Sequence, residues 1–302
     1  MNSNNKLYSI GNILRYTQED LVALVYGLVS KPKALGDGYT IIGRGNKPKP
    51  MLCVHLDTIN THYSKKGLYE YDIMYDTSKD MLKLTPDSKA SCLGGDDRAG
   101  VWIAIQMLAD MLPETEWKYD IGFFTDEEIG CIGSTHYSTY LRDYAPNNIN
   151  TTCYIGLDRK AGNGLHEIAT YGYDNESLIS TFVSLGYTPE YGSVTDASNL
   201  AGEVACINLS VGYDNEHTNV EVLYLSCMKY TLEVLKRVEL EDKYYEAEEA
   251  IYDDDGWPFN DYDDDDMIAM NYIAELEEEN SKLKDILQAM GVDADSLLKE
   301  MR

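Results

Sequence analysis

Between Thr17 and Val238, short apolar runs alternate with segments of helical spacing, and that alternation leaves few folds open. Met51, Leu52, Cys53 and Val54 lead into His55 as one continuous run, the length of a strand buried on both faces. Comparable strand signals fall at 39–42, 119–125, 152–157, 165–170 and 205–211, with weaker ones near 68–74 and 81–84. Helical spacing occurs over 17–30, where Thr17 can act as the N-cap, and over 101–112, which Pro113 ends. Further helices are expected after Gly133, over 177–185 and over 220–238. Strands alternating with helices predict an α/β three-layer sandwich, a mainly parallel central sheet with helices on both faces. Polar groups that bind ligands in such sheets sit at the carboxyl ends of the strands.

The charge balance narrows the partners. The formal net charge is -27 over 302 residues. Between Glu239 and Asp266 there are 14 acidic residues and one lysine, so much of the excess belongs to one segment. Phosphate backbones and anionic membrane surfaces would repel such a chain, which argues against nucleic acid and membrane as direct partners. No stretch approaches the ~20 apolar residues a membrane-crossing helix needs, and residues 1–6 do not read as a secretory signal. The six cysteines are scattered singly, most of them in apolar runs. Buried free thiols and a cytoplasmic location are the expectation.

Three regions follow from composition. Residues 1–240 hold the folded body. Residues 241–266, with acidic runs flanking Trp257, Pro258 and Phe259, read as a disordered acidic linker. Residues 267–302 read as a C-terminal helix in which Ile273, Leu276, Asn280, Leu283, Leu287 and Met290 fall at alternating a and d positions. Such a helix suits a homo-oligomeric coiled coil, with a helix docked on its own domain or a partner as the alternative.

Five places set His or carboxylate groups at or just after a strand: His55 with Asp57, Asp96 with Asp97, Asp126 to Glu128, Asp158, and His217. Any one of them has an ordinary explanation as a surface pair or a solvated helix start. Together they are harder to dismiss, because buried carboxylates cost several kcal/mol per charge unless cations offset them. Imidazole with carboxylate suits zinc, cobalt or manganese. His62, His136 and His166 match no such pattern and are expected to be structural or exposed. Arg159 and Lys160, just after Asp158, could bind a substrate carboxylate or simply lie on the surface.

The order His-x-Asp, Gly-x-Asp-Asp-x-x-Gly, Asp-Glu-Glu-x-Gly, Leu-Asp and a late His resembles the di-zinc exopeptidase superfamily, which includes the M20, M28 and M42 peptidases. The resemblance spans His55 to Thr218. It implies a two-metal hydrolase of peptide bonds, an aminopeptidase or dipeptidase on short peptides, holding two divalent ions, zinc above all. It further implies that Asp96 bridges the ions, His55 and Asp158 complete one, and Glu128 and His217 complete the other. Glu127 would activate a metal-bridging water as general base, and Asp57 would fix the tautomer of His55. Thr195 and Asp196 resemble a segment near the M42 substrate site and are candidates for substrate binding. Asp97 follows Asp96 at a bond often cis in the family. Asp96 follows Asp57 by only 39 positions and His217 follows Asp158 by only 59, too few for the inserted domains of M42 and M20 enzymes. The expected plan is therefore compact and M28-like. Two other readings stay open: an amidohydrolase that deacylates amino acids or other small amides, and a non-catalytic interaction protein on a peptidase fold.

Overall fold

In the computed structural model, the described residues are 9–248 apart from Ser30, Asn46, 60–72, 111–116, 146–149 and Asp242. The expected heptads and most of the acidic segment lie outside them.

Eight strands build the main sheet: β1 (Ala34–Gly36), β2 (Tyr39–Ile42), β3 (Lys49–His55), β6 (Asp120–Phe124), β7 (Thr151–Arg159), β8 (Glu167–Thr170), β9 (Thr188–Tyr191) and β10 (Cys206–Ser210). Their order across the sheet is β1-β2-β6-β3-β7-β10-β8-β9. The centre, β6-β3-β7-β10, is wholly parallel. Antiparallel β2 borders it on one side and antiparallel β8 on the other. A second, antiparallel sheet orders β11 (Tyr213–Asp214), β12 (Val222–Tyr224), β5 (Met81–Leu84) and β4 (Ile73–Asp76) side by side.

Seven helices accompany them among the described residues: α1 (Ile10–Ile13), α2 (Gln18–Leu28), α3 (Gly95–Asp110), α4 (Ile132–Tyr144), α5 (Glu176–Ser184), α6 (Asp196–Leu200) and α7 (Leu225–Arg237). The side-chain alternation of β3 shows how they cover both faces. Leu52 and Val54 point into the cluster that holds Leu21 and Val25 of α2, Val101 and Ile105 of α3, and Leu232 and Leu235 of α7. Met51 and Cys53 point into the other cluster, with Tyr137 of α4 and Ala197 of α6. Every residue of β3 is buried, as a strand covered on both faces must be. The expected three-layer α/β architecture is what the chain forms.

Thr17 caps α2 as its sequence suggests. Its hydroxyl accepts the Asp20 N–H at 3.2 Å, and the Asp20 carboxylate accepts the Thr17 N–H at 3.1 Å. The helix expected from residue 220 instead begins at Leu225, because Val222–Tyr224 pair with β5. Val222, Leu223 and Tyr224 suit a strand, and an available sheet edge outweighs their helical spacing.

The boundary expected at residue 240 lies inside packed chain. Tyr245 is 1% exposed. Its N–H donates to the Thr152 carbonyl at 2.9 Å, and its carbonyl accepts the Ala205 N–H at 2.8 Å. The Glu248 N–H reaches the Asp174 carbonyl at 2.8 Å. Residues 243–248 thus run beside the first residues of β7 and β10, so an acidic linker cannot begin at 241. Emptying this aromatic site by Tyr245→Ala is expected to destabilise the body by about 3–5 kcal/mol. Thermal unfolding should show a drop of roughly 6–20 °C, and an unchanged midpoint would contradict this packing role.

Candidate di-metal site

The parallel centre of the sheet brings the chemistry-bearing residues to one edge. His55 ends β3 and lies in register with Phe124 at the end of β6. The Leu56 N–H continues the pairing to the Phe124 carbonyl at 2.8 Å. The loops after the two strands, carrying Asp57 in one case and Asp126, Glu127 and Glu128 in the other, therefore start side by side. Asp158 lies near the end of β7, and Asp96 stands on the turn that enters α3. That helix becomes regular only after Asp97: Asp96 and Asp97 have non-helical dihedrals, and the bond between them is cis, as the resemblance implied. His217 follows β11 in a loop and has φ of +62°.

Asp96 is the centre of this arrangement. Its Oδ1 lies 3.0 Å from His55 Nε2, and its Oδ2 lies 3.2 Å from His217 Nε2. Asp158 Oδ1 approaches the same His55 nitrogen at 3.4 Å, and Glu128 Oε2 approaches His217 Nε2 at 2.9 Å. One carboxylate thus joins two imidazoles, each with an additional carboxylate of its own.

Asp57 organises the strand ends from behind. Its Oδ1 faces His55 Nδ1 at 3.2 Å, and its two oxygens accept the N–H groups of Glu127 at 3.1 Å and Glu128 at 3.0 Å. Burial alone would raise its carboxyl, but these bonds, that of His55 foremost, hold it below the ordinary carboxylate range. Asp158 is gripped from several sides. Thr195 Oγ1 donates to its Oδ2 at 2.8 Å, Tyr213 donates to its Oδ1 at 3.1 Å, and Asn208 Oδ1 accepts its N–H at 2.8 Å. Asp97 is fully buried and turned to the backbone, accepting the His55 N–H at 3.2 Å and the Gly100 N–H at 3.0 Å.

The electrostatics follow from burial among like charges. Hydrogen bonds to Asp96 and Glu128 push the His217 imidazole up to about 10. Burial opposes charge on His55, yet the Asp158 carboxylate and the bonds to Asp57 and Asp96 carry its pKa well above the usual value. Burial pushes the Glu127 carboxyl up to about 8, with His55 opposing and Asp158 reinforcing.

The donor set fits a pair of divalent cations. The side chains of Asp96, Asp158 and Glu128 are only 10%, 10% and 8% exposed, and the neighbouring imidazoles are two. Ligand atoms of His55, Asp96 and Glu128 lie within 4.8 Å of one another, as do those of His55, Asp97 and Asp158. In the second trio Asp97 already accepts two backbone N–H groups. Among oxygen and imidazole donors of this kind, zinc, cobalt and manganese are the natural occupants.

Solved structures share this framework. The TET1 peptidase of Pyrococcus horikoshii superposes with a TM-score of 0.55 at 14% identity, covering 74% of this chain and 94% of its own. A tripeptidase from Staphylococcus aureus gives 0.53 at 13% identity, with 79% and 99% covered. The aminopeptidase PepT from Bacillus cereus gives 0.52 at 13%, with 77% and 95% covered. The fold is the one these peptidases share. No family model matches the chain, and no curated protein matches it by sequence.

Within this fold, several of the remaining candidate residues are placed as follows. Thr195 is 4% exposed and its hydroxyl is directed at Asp158, while Asp196 is 2% exposed with its carboxyl pushed by burial up to about 7. Both side chains are buried, that of Thr195 against the candidate ligand Asp158. Arg159 pairs with Glu167 at 2.9 Å and Lys160 with Glu216 at 3.3 Å, so each faces a carboxylate of the chain itself. His136 is half exposed against the Asp37 carbonyl, and His166 stacks on Tyr230 at 3.9 Å. His62 lies outside the described residues. Between Asp57 and Asp96 the described chain supplies β4 and β5 rather than an inserted domain. All six cysteines are buried and free. Among the described residues, no helix is long and apolar enough to cross a membrane. Tyr213 and Asn208 bond to Asp158, and Glu221 to the Asp96 N–H, without any motif to announce them.

Proposed function

We propose that this chain is a metal-dependent exopeptidase, an aminopeptidase or dipeptidase acting on short peptides. The observation that carries the reading is the Asp96 carboxylate, with one oxygen toward His55 and the other toward His217. Asp96 would be shared by two ions, His55 and Asp158 would complete one of them, and Glu128 and His217 the other. When bound, such a cation pair activates water and polarises the carbonyl to be cleaved. The chain supplies the proton handling. Glu127 is adjacent to Glu128 yet directed elsewhere, and its Oε1 accepts the Cys131 thiol at 3.7 Å, which leaves Oε2 for the proton. It takes that proton from the attacking water and passes it to the departing amine. Asp57 keeps the His55 ring and the Glu127–Glu128 backbone in fixed relation while this happens.

The peptidases of like fold support the substrate class by their own names. The TET1 peptidase can assemble into a tetrahedron or a large octahedral shell, and another structure under the TET1 name has a dodecamer in the asymmetric unit. A homo-oligomer is therefore part of the proposal, with the 267–302 heptads as its candidate contact. Buried free thiols fit the cytoplasm. The deciding experiment incubates zinc-, cobalt- and manganese-loaded protein with aminoacyl amides, di- and tripeptides and N-acyl amino acids, followed by mass spectrometry. Release of single N-terminal residues is expected. Hydrolysis confined to the N-acyl amino acids would replace the reading with a deacylase. A metal-loaded protein that cleaves nothing would leave only a non-catalytic role.

A further inference from the structure

Glu221 lies four residues beyond His217, in a stretch where Val220, Val222 and Leu223 are apolar, and it is 0% exposed. A carboxylate sealed in the interior is costly unless donors meet it. Here the donors are backbone groups of a distant turn. Glu221 Oε2 accepts the Gly94 N–H at 2.8 Å, and Oε1 accepts the Asp96 N–H at 3.2 Å. Gly94 has φ of +75°, which aims its N–H and that of Asp96 into one concavity, a backbone nest of the kind that binds anions. In this chain the anion is an internal side chain. The nest admits no bulk: a Cβ on Gly95 would stand 2.9 Å from Glu221 Oε1 and 2.9 Å from Tyr213 Cβ.

The same residue also closes the other side. Its own N–H donates to the Thr218 carbonyl at 3.1 Å, while Thr218 Oγ1 donates to the Asn215 carbonyl at 2.7 Å. Those bonds enclose His217, held between Asn215 and Thr218 with left-handed backbone at both Asn215 and His217. One residue therefore ties the loop carrying His217 to the turn carrying Asp96, whose Oδ2 and Nε2 stand 3.2 Å apart.

We propose that Glu221 is a positioning residue that sets the spacing of Asp96 and His217, and so governs the second ion, the one shared by Asp96, Glu128 and His217, more than the first. This rests on the two-cation reading of the site. His55 and Asp158 lie outside the clasp: Asp158 is held by Thr195, Tyr213 and Asn208, and His55 by Asp57 and Asp97.

The test is a cobalt titration of the full chain, following visible absorption and chelator competition, for the wild type, Glu221→Gln and Gly95→Ala. Glu221→Gln replaces one acceptor oxygen by a donor, and Gly95→Ala displaces the carboxylate without removing it. In Glu221→Gln the first equivalent is expected to bind nearly as in the wild type; in Gly95→Ala, where the added Cβ also presses on Tyr213, a partner of Asp158, it should weaken less than the second. The second should bind at least about 10-fold more weakly, with an altered spectrum. The metal-free proteins should melt within a few degrees of the wild type. Two equivalents bound as in the wild type would overturn the proposal. So would equal weakening of both with a lower midpoint, the mark of a merely structural capping role for α3. A wild type that takes up no cobalt would instead remove the two-cation reading itself, and this inference with it.

Discussion

Glu127→Gln is expected to retain both metal ions and lose roughly 10²–10⁴-fold in turnover, the usual worth of a positioned proton-transfer group. The change is nearly isosteric, and the bonds of the two imidazoles go to Asp57, Asp96, Asp158 and Glu128, so the two ion positions should be undisturbed. What disappears is the capacity to accept a proton at Oε2. The carboxyl of the native residue stands at about 8 through burial, and divalent cations nearby would pull it down toward neutrality, where a base works best. Steady-state kinetics with elemental analysis on the same preparation checks this. Wild-type turnover in a fully loaded Glu127→Gln protein would show that another group moves the proton.

Asp96→Ala has an effect of comparable size by a different route. Because each oxygen of this carboxylate faces a separate imidazole, its removal takes a ligand from both ion positions at once. The metal content should fall from two ions per chain to one or none, with at least about 100-fold weaker binding of what remains, and hydrolysis should drop to background. His217 would lose one of the two partners that hold its imidazole up at about 10, so its pKa, followed by NMR in the metal-free protein, should fall. Two tightly held ions in Asp96→Ala would mean that the bridging geometry has no role in metal capture.

The fold was readable where one periodicity dominated. Residues 39–42 and 81–84 are strands at the expected positions, and Thr17 caps α2 through local chemistry that needs no tertiary partner. Signals failed where the rest of the molecule decides. Thr188–Tyr191 are exposed and include Pro189, so nothing in them alternates, yet the free edge of β8 makes them a strand. The five residues of α6 are too few to show a helical period. The candidate ligand residues were legible because carboxylates and imidazoles at strand ends stand out against apolar runs. Their supports were not. Glu221 meets Gly94 across 127 residues, and Asn208 meets Asp158 across 50, distances over which only the assembled sheet gives the contact meaning. The Thr195 hydroxyl likewise meets Asp158 across 37 residues.

The anchoring of Tyr245 and Glu248 beside the first residues of β7 and β10 bears on how the molecule can be handled. The nine residues of β7, at ~3.3 Å each, put on the order of 30 Å between that anchor and the carboxyl ends where Asp158 stands. A surface tether or fluorophore attached at position 248 would sit on the underside of the sheet. Peptides could still diffuse to the opposite rim, so immobilised protein should turn over substrate as freely as protein in solution.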